Sequence, residues 1–154
     1  MECFQVLETG EGIERTILRK LRGQGGPRGR CASENHPALL VVSPRAAEGA
    51  VLPVHCRTVL LPGEMGERAF PIRAASAVSY GVSPRDSLTI SSHEGEILWA
   101  ALQRELVTVD GRVVERQEFP LALESGTEPL PALAAAGALL LLGVPPEELG
   151  PVSG

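Results

Sequence analysis

The chain reads as an α/β domain: a mainly parallel, Rossmann-like sheet, then a C-terminal antiparallel β-hairpin and a final Ala/Leu-rich helix. Three observations predict this. The opening runs from a short apolar stretch through a glycine turn into an amphipathic segment, the strand–turn–helix order of α/β folds. Three continuous apolar runs follow, each bounded by proline or glycine, as strands buried on both faces are. From Ser87 onward the texture changes to β-rich stretches around an Asp-Gly pair, then to an alanine- and leucine-rich segment.

Taken in order, Phe4 to Leu7 is the first apolar run, followed by Thr9-Gly10-Glu11-Gly12. Ile13, Ile17, Leu18 and Leu21 then recur at helical spacing, and Gly23 is a natural stop. Residues 24–36, rich in Gly, Pro and Arg, read as a mobile loop. Ala38 to Val42, Thr58 to Leu61 and Ala77 to Tyr80 are the three buried strands. The segments between them, Arg45 to Pro53 and Glu64 to Ala75, are poor helix sequences, so irregular crossovers are expected. Ser87 to Ser91 alternates as a strand does. Ile97 to Val109 and Arg112 to Leu123 flank Asp110-Gly111, a pair that tolerates the positive φ of a two-residue hairpin turn. Pro131 to Leu142 is the last helix, ended by Gly143, with a further turn starting at Pro145-Pro146.

The 154 residues suit one domain spanning 1–154, large enough for a real core. Hydrophobic residues make up 44% and aromatic ones 3%, so the core must be aliphatic. Fourteen basic against nineteen acidic residues give a net charge of −5, which disfavours nucleic acid or an anionic membrane as partner. Only one basic residue, Lys20, is a lysine. The opening residues lack a secretory signal, and the apolar stretch from Leu130 to Val144 is too short to span a bilayer. Three cysteines without framework spacing favour reduced thiols and a cytoplasmic location.

Four places in the chain could carry chemistry. The Thr9-Gly10-Glu11-Gly12 turn, with Thr16 behind it, sits where a phosphate loop would sit, but the required lysine is absent and Glu11 and Glu14 would repel a triphosphate. Glycine turn and acidic helix start also suit a plain structural role. Cys31, His36, His55 and Cys56 have no recognised zinc spacing, so no metal is expected. His55 directly precedes Cys56, poor geometry for a nucleophilic pair, and His93 reads as a solvated turn residue. The Gly63-Glu64 loop follows a buried strand, where α/β folds bind ligands.

Val78-Ser79-Tyr80-Gly81-Val82-Ser83 leads into a strand, a hairpin and a helix carrying Ala134-Ala135-Ala136. The helix closes on Leu142-Gly143-Val144-Pro145-Pro146-Glu147-Glu148-Leu149. This half resembles the central domain of the Mur ligases and folylpolyglutamate synthetases. Thr9-Gly10-x-Gly12 resembles, more loosely, the start of that family's Thr-Gly-x-x-Gly-Lys-Thr loop. The departures weigh more. The loop's Lys-Thr would fall within Ile13 to Thr16, where no lysine stands. The family's His-Asn would fall near Glu128-Pro129 and its helix-starting Asn near Ala132, while Lys20 matches no family position. The resemblance therefore implies a bacterial fold relative with an eroded phosphate loop, standing without the family's flanking domains, and no catalytic residue carries over.

The expectation is a non-catalytic binding or regulatory module with no cofactor, its ATP-ligase activity lost. Its partner would be another protein or a second copy of the chain, met at the strand-end loops or at the Asp110-Gly111 hairpin tip. The alternative is a small enzyme or binder acting on a nucleotide sugar or another phosphate-containing small molecule. Its ligand-binding residues would be Thr9, Gly10, Gly12, Thr16, Gly63 and Glu64.

Overall fold

The computed structural model describes residues 3–22, 29–30, 36–49, 54–69, 72–123 and 126–150. Among these residues ten strands and two α-helices run in the order β1 (Cys3–Leu7), α1 (Ile13–Arg22), β2 (Gly29–Arg30), β3 (Leu39–Val42), β4 (Val54–Pro62), β5 (Ile72–Gly81), β6 (Leu88–Glu94), β7 (Ile97–Leu102), β8 (Leu106–Val107), β9 (Val113–Val114), β10 (Gln117–Ala122) and α2 (Pro129–Leu141). Eight of the strands form one sheet ordered β10-β7-β6-β5-β4-β3-β1-β2, and β8 and β9 pair separately. Strands β1 to β6 run parallel to one another, and β7 pairs antiparallel with both β6 and β10. The sheet curls into a half-barrel around α2, a Rossmann-like arrangement as the sequence predicts.

Helix α2 is the centre of the molecule. Its sequence carries no charge, and Pro131 and Leu133 through Leu141 are all buried. A helix apolar all round can persist only if its whole circumference is covered. The sheet supplies Leu39, Val41, Leu60, Val78, Leu88 and Leu98 to one side, and α1 adds Ile13, Ile17 and Leu21. Gly137 permits the closest approach: a Cβ placed there would meet Leu60 Cδ2 at 3.0 Å and Leu88 Cδ2 at 3.1 Å.

The opposite face of the sheet carries a smaller cluster of Leu40, Val42, Ala47, Cys56, Val59 and Met65. It is roofed by two 3-10 turns, Ala46–Glu48 and Gly63–Ala69, which are the irregular crossovers expected for these segments. The amides of Arg57 and Thr58 both donate toward the β3 side, to Pro37 O and Ala38 O at 3.1 Å each. Consecutive amides facing one neighbour mark a bulge, which disturbs the strand's alternation. Cys56 and Val59 thus share the second face, while Arg57 Nη1 reaches round to donate to Val109 O at 3.0 Å.

Several expectations need correction. Within the stretch 24–36, Gly29 and Arg30 form a strand beside β1 and His36 is placed with φ of 49°; residues 24–28 and 31–35 lie outside the described residues. The hairpin between Ile97 and Leu123 forms, as β7 against β10, but Asp110-Gly111 is not a two-residue turn between them. Pairing of β7 with β10 ends at Leu102; beyond it the Gln103 amide donates to Ser87 O at 2.8 Å and its side chain to Asp86 O at 2.7 Å. Asp110-Gly111 instead lies in the five-residue link between Val107 and Val113. That ribbon is tied to the end of α2 by Val109 N donating to Leu141 O at 2.8 Å. The tight hairpin turn falls at Gly95-Glu96, joining Glu94 to Ile97, with Gly95 at φ 59°. Cys3 is disulfide-bonded, so among the described cysteines the expectation of reduced thiols holds for Cys56 alone. Among the described residues no helix is long and apolar enough to cross a membrane.

Gly137→Val should destabilise the fold by about 1–3 kcal/mol, although valine is the better helix former, because its side chain must displace Leu60 and Leu88. A urea titration showing a lower midpoint with an unchanged slope checks this.

Candidate functional site

The carboxyl ends of the parallel strands are where α/β sheets expose convergent loops. Here they bring together the β1–α1 turn, Ser43 to Arg45 after β3, Gly63 and Glu64 after β4, and Gly81 to Asp86 after β5.

Gly10 and Gly12 sit at φ 74° and 77°, a region where a side chain would strain the backbone. They turn the chain so that Glu8 points back at the start of α1. Its carboxylate accepts Ile13 N–H at Oε1 (2.8 Å) and Glu14 N–H at Oε2 (3.0 Å). A two-oxygen anion therefore already takes up the first amides of the helix, the donors that a bound phosphate would use. Glu11 does the same for the neighbouring loops. Its Oε1 accepts Thr9 N–H at 3.2 Å and its Oε2 accepts Arg45 N–H at 3.2 Å. The Thr16 hydroxyl turns inward and donates to Gly12 O at 2.9 Å.

Around Gly63 the constraint is steric. Asp86 is buried and its Oδ2 accepts Ser83 N–H at 3.1 Å. The carboxylate lies against both Gly63 and Gly81: a Cβ on Gly81 would stand 2.5 Å from Oδ2, and one on Gly63 would overlap Oδ1 outright. Between the two glycine loops lies Tyr80, whose hydroxyl donates to Val42 O at 2.6 Å. Burial, then the charges of Glu11 and Glu64, push the Tyr80 phenol far above its ordinary range, so it acts as a fixed donor and not as an acid.

Thr9, Gly10, Gly12 and Thr16 thus share one loop and helix start, while Gly63 and Glu64 lie two strands away, past β3. What links the groups is Tyr80, since Glu11 and Glu64 both act on it electrostatically. Sequence reasoning missed Glu8, Asp86 and Arg45. Glu8 had a usable signal: a carboxylate between a strand end and a glycine turn, with no nearby lysine, suits a helix start it can fold back upon.

The other candidates fall elsewhere. The His36 and His55 rings approach to 5.5 Å at a tilt of 54°. Cys31 lies outside the described residues, and among those described no group of three or more His, Cys, Asp or Glu could hold a metal. Cys56 is buried, which pushes its thiol up to about 11 and leaves it protonated near neutrality. His93 is exposed near the end of β6, with Nε2 3.1 Å from Gly95 O. Arg45 faces Glu128 at 3.9 Å across the top of the sheet, an exposed pair.

No family model and no curated protein matches the chain. Solved structures do, and they define the class first: the chain has a Mur-ligase-like fold. Crystal structures I and II of MurF from Acinetobacter baumannii match 99% and 97% of this chain, with TM-scores of 0.54 and 0.53 and 9% and 10% identity. The UDP-N-acetylmuramoylalanyl-D-glutamyl-2,6-diaminopimelate--D-alanyl-D-alanyl ligase from the same organism matches 97% at 0.54 and 9% identity. The chain spans 44–46% of the length of these three, and identity this low shows the fold alone.

Gly63→Ala should cost about 1–3 kcal/mol in the native background, because its methyl displaces a buried carboxylate. In an Asp86→Ala background the added cost should largely vanish, a coupling that a double-mutant cycle of urea midpoints reads directly. Cys56 should react with iodoacetamide far more slowly in the folded protein than in urea at pH 8. The folded-state rate should climb only as pH approaches 11, since burial raises the thiol and the thiolate is the reacting form.

Proposed function

We propose that the chain is a non-catalytic binding or regulatory module on a Mur-ligase-like central-domain scaffold, with ATP-dependent ligase chemistry lost and the phosphate-loop position degenerate. The observation that carries this is the Glu8 carboxylate on the amides of Ile13 and Glu14. A triphosphate would have to displace that carboxylate and then face Glu11, with no loop lysine to offset the charge. The strand-end loops remain the proposed recognition surface. Val82, beside them, is 75% exposed, an apolar side chain suited to contact with a protein partner. A phosphate-bearing small molecule at Thr9, Gly10, Gly12, Thr16, Gly63 and Glu64 is the competing reading. The proposal keeps the chain in the cytoplasm, and the Cys3 disulfide is the feature that fits that compartment least.

Thermal-shift measurements with Mg-ATP, Mg-ADP, a UDP-sugar and inorganic phosphate separate the two. A ligand at a hundred times its Kd stabilises a fold by about 2.7 kcal/mol, which moves the midpoint by several degrees. The native protein should show no shift with any of them; a clear shift with Mg-ATP would overturn the proposal. Glu8→Gln should lower stability by about 1–2 kcal/mol through the loss of a charged acceptor at the helix start.

A further inference from the structure

A second concave feature borders the strand-end loops at Thr16. The half-barrel is not fully closed. Helix α1 and strand β10 both flank α2 but leave a seam between them, a groove of about 290 Å³. Its floor is the face of α2 that carries Ala132, Ala135 and Ala136, with Leu139 beyond. The volume exists because these side chains are methyl groups. A leucine at any of the three positions would project into it. Leu121 of β10 and Leu149 complete an apolar lining.

The rim has the opposite character to the rest of the molecule. The chain as a whole carries a net charge of −5, yet among the described residues no Asp or Glu lines the groove, whereas Arg19 and Lys20 both do. Basic residues in the last turn of α1 suit its dipole, and that accounts for their presence on the helix. It does not account for an apolar trough beside them. A trough lined with aliphatic side chains and bordered by cations complements one ligand chemistry: an aliphatic body ending in a single anionic group. The volume stands at the small end of such sites, which run from about 300 Å³ upward.

We propose that this groove binds a small aliphatic carboxylate, its chain along the alanine face of α2 and its carboxylate at the ammonium of Lys20. The groove shares Thr16 with the strand-end residues, but the inference uses neither the Gly10–Gly12 turn nor a nucleotide.

The test is a titration of the full chain with octanoate, followed by the methyl resonances of Ala135 and Ala136. Octanol, which lacks the charge, and acetate, which lacks the chain, are the comparators. Octanoate should shift both methyl signals, and acetate should shift neither. Lys20→Gln should weaken octanoate by about three- to fivefold, the range of a partly exposed ion pair, and leave octanol unchanged. Ala132→Leu, at a half-buried floor position, should abolish binding while circular dichroism and thermal midpoint show a native fold. If octanoate leaves the alanine methyls unmoved at millimolar concentration, the proposal is wrong. It is equally wrong if binding survives both substitutions. A response to Mg-ATP without one to octanoate would overturn the strand-end reading and this one together, whereas a response to octanoate alone supports both.

Discussion

The whole arrangement depends on covering α2. Thirteen residues without a charge, from Pro129 to Leu141, cannot sit at a surface, and nearly every one is buried. The curl of the sheet, the placement of α1 and the glycine at position 137 all follow from wrapping that cylinder. In a flatter sheet the strands at either end would lie beyond reach of one central helix, and its flanks would stay wet. The parallel strands supply β-branched and leucine side chains on the inner face because that face meets only hydrocarbon. The outer face, covered by two short 3-10 turns, gets by with a far smaller cluster.

At the strand ends the same scaffold presents a set of backbone donors that need an acceptor. In this chain the acceptors are internal. Glu8 takes the helix amides, Glu11 joins the β1–α1 turn to the loop after β3, and Asp86 holds the loop after β5 against two glycines. A site built to hold a mobile anion leaves its donors to be satisfied by ligand or water. Here covalently tethered carboxylates satisfy several of them permanently, and the cost of removing them is a cost in folding. The strand ends are thereby stiffened by the chain's own carboxylates.

Much of this was legible in the residues. The buried strands announce themselves as continuous apolar runs, and α2 as an uncharged Ala/Leu stretch with proline at its start and Gly143 at its close. The glycine turn before α1 is readable because positive φ leaves few other choices. What pattern could not give was partnership between distant residues. Asp110-Gly111 looks like a tight hairpin turn. Only the pull of Gln103 toward Asp86, and of Val109 toward Leu141, opens it into a longer link. The turn that does close a hairpin, at Gly95-Glu96, lies inside a polar stretch with no such signature.

The position of α2 in the chain has a further implication, for synthesis. Every strand of the main sheet precedes it in sequence, so a nascent chain emerging from the ribosome makes the sheet's inner face first and its cover last. Until α2 emerges, Leu39, Val41, Leu60, Val78 and Leu88 have no partner on that side beyond α1. Parallel pairing is slow because each contact closes a long loop, and uncovered strands of this kind invite association with other chains. The sheet's inner face can thus be covered only after the ribosome has released the helix it surrounds.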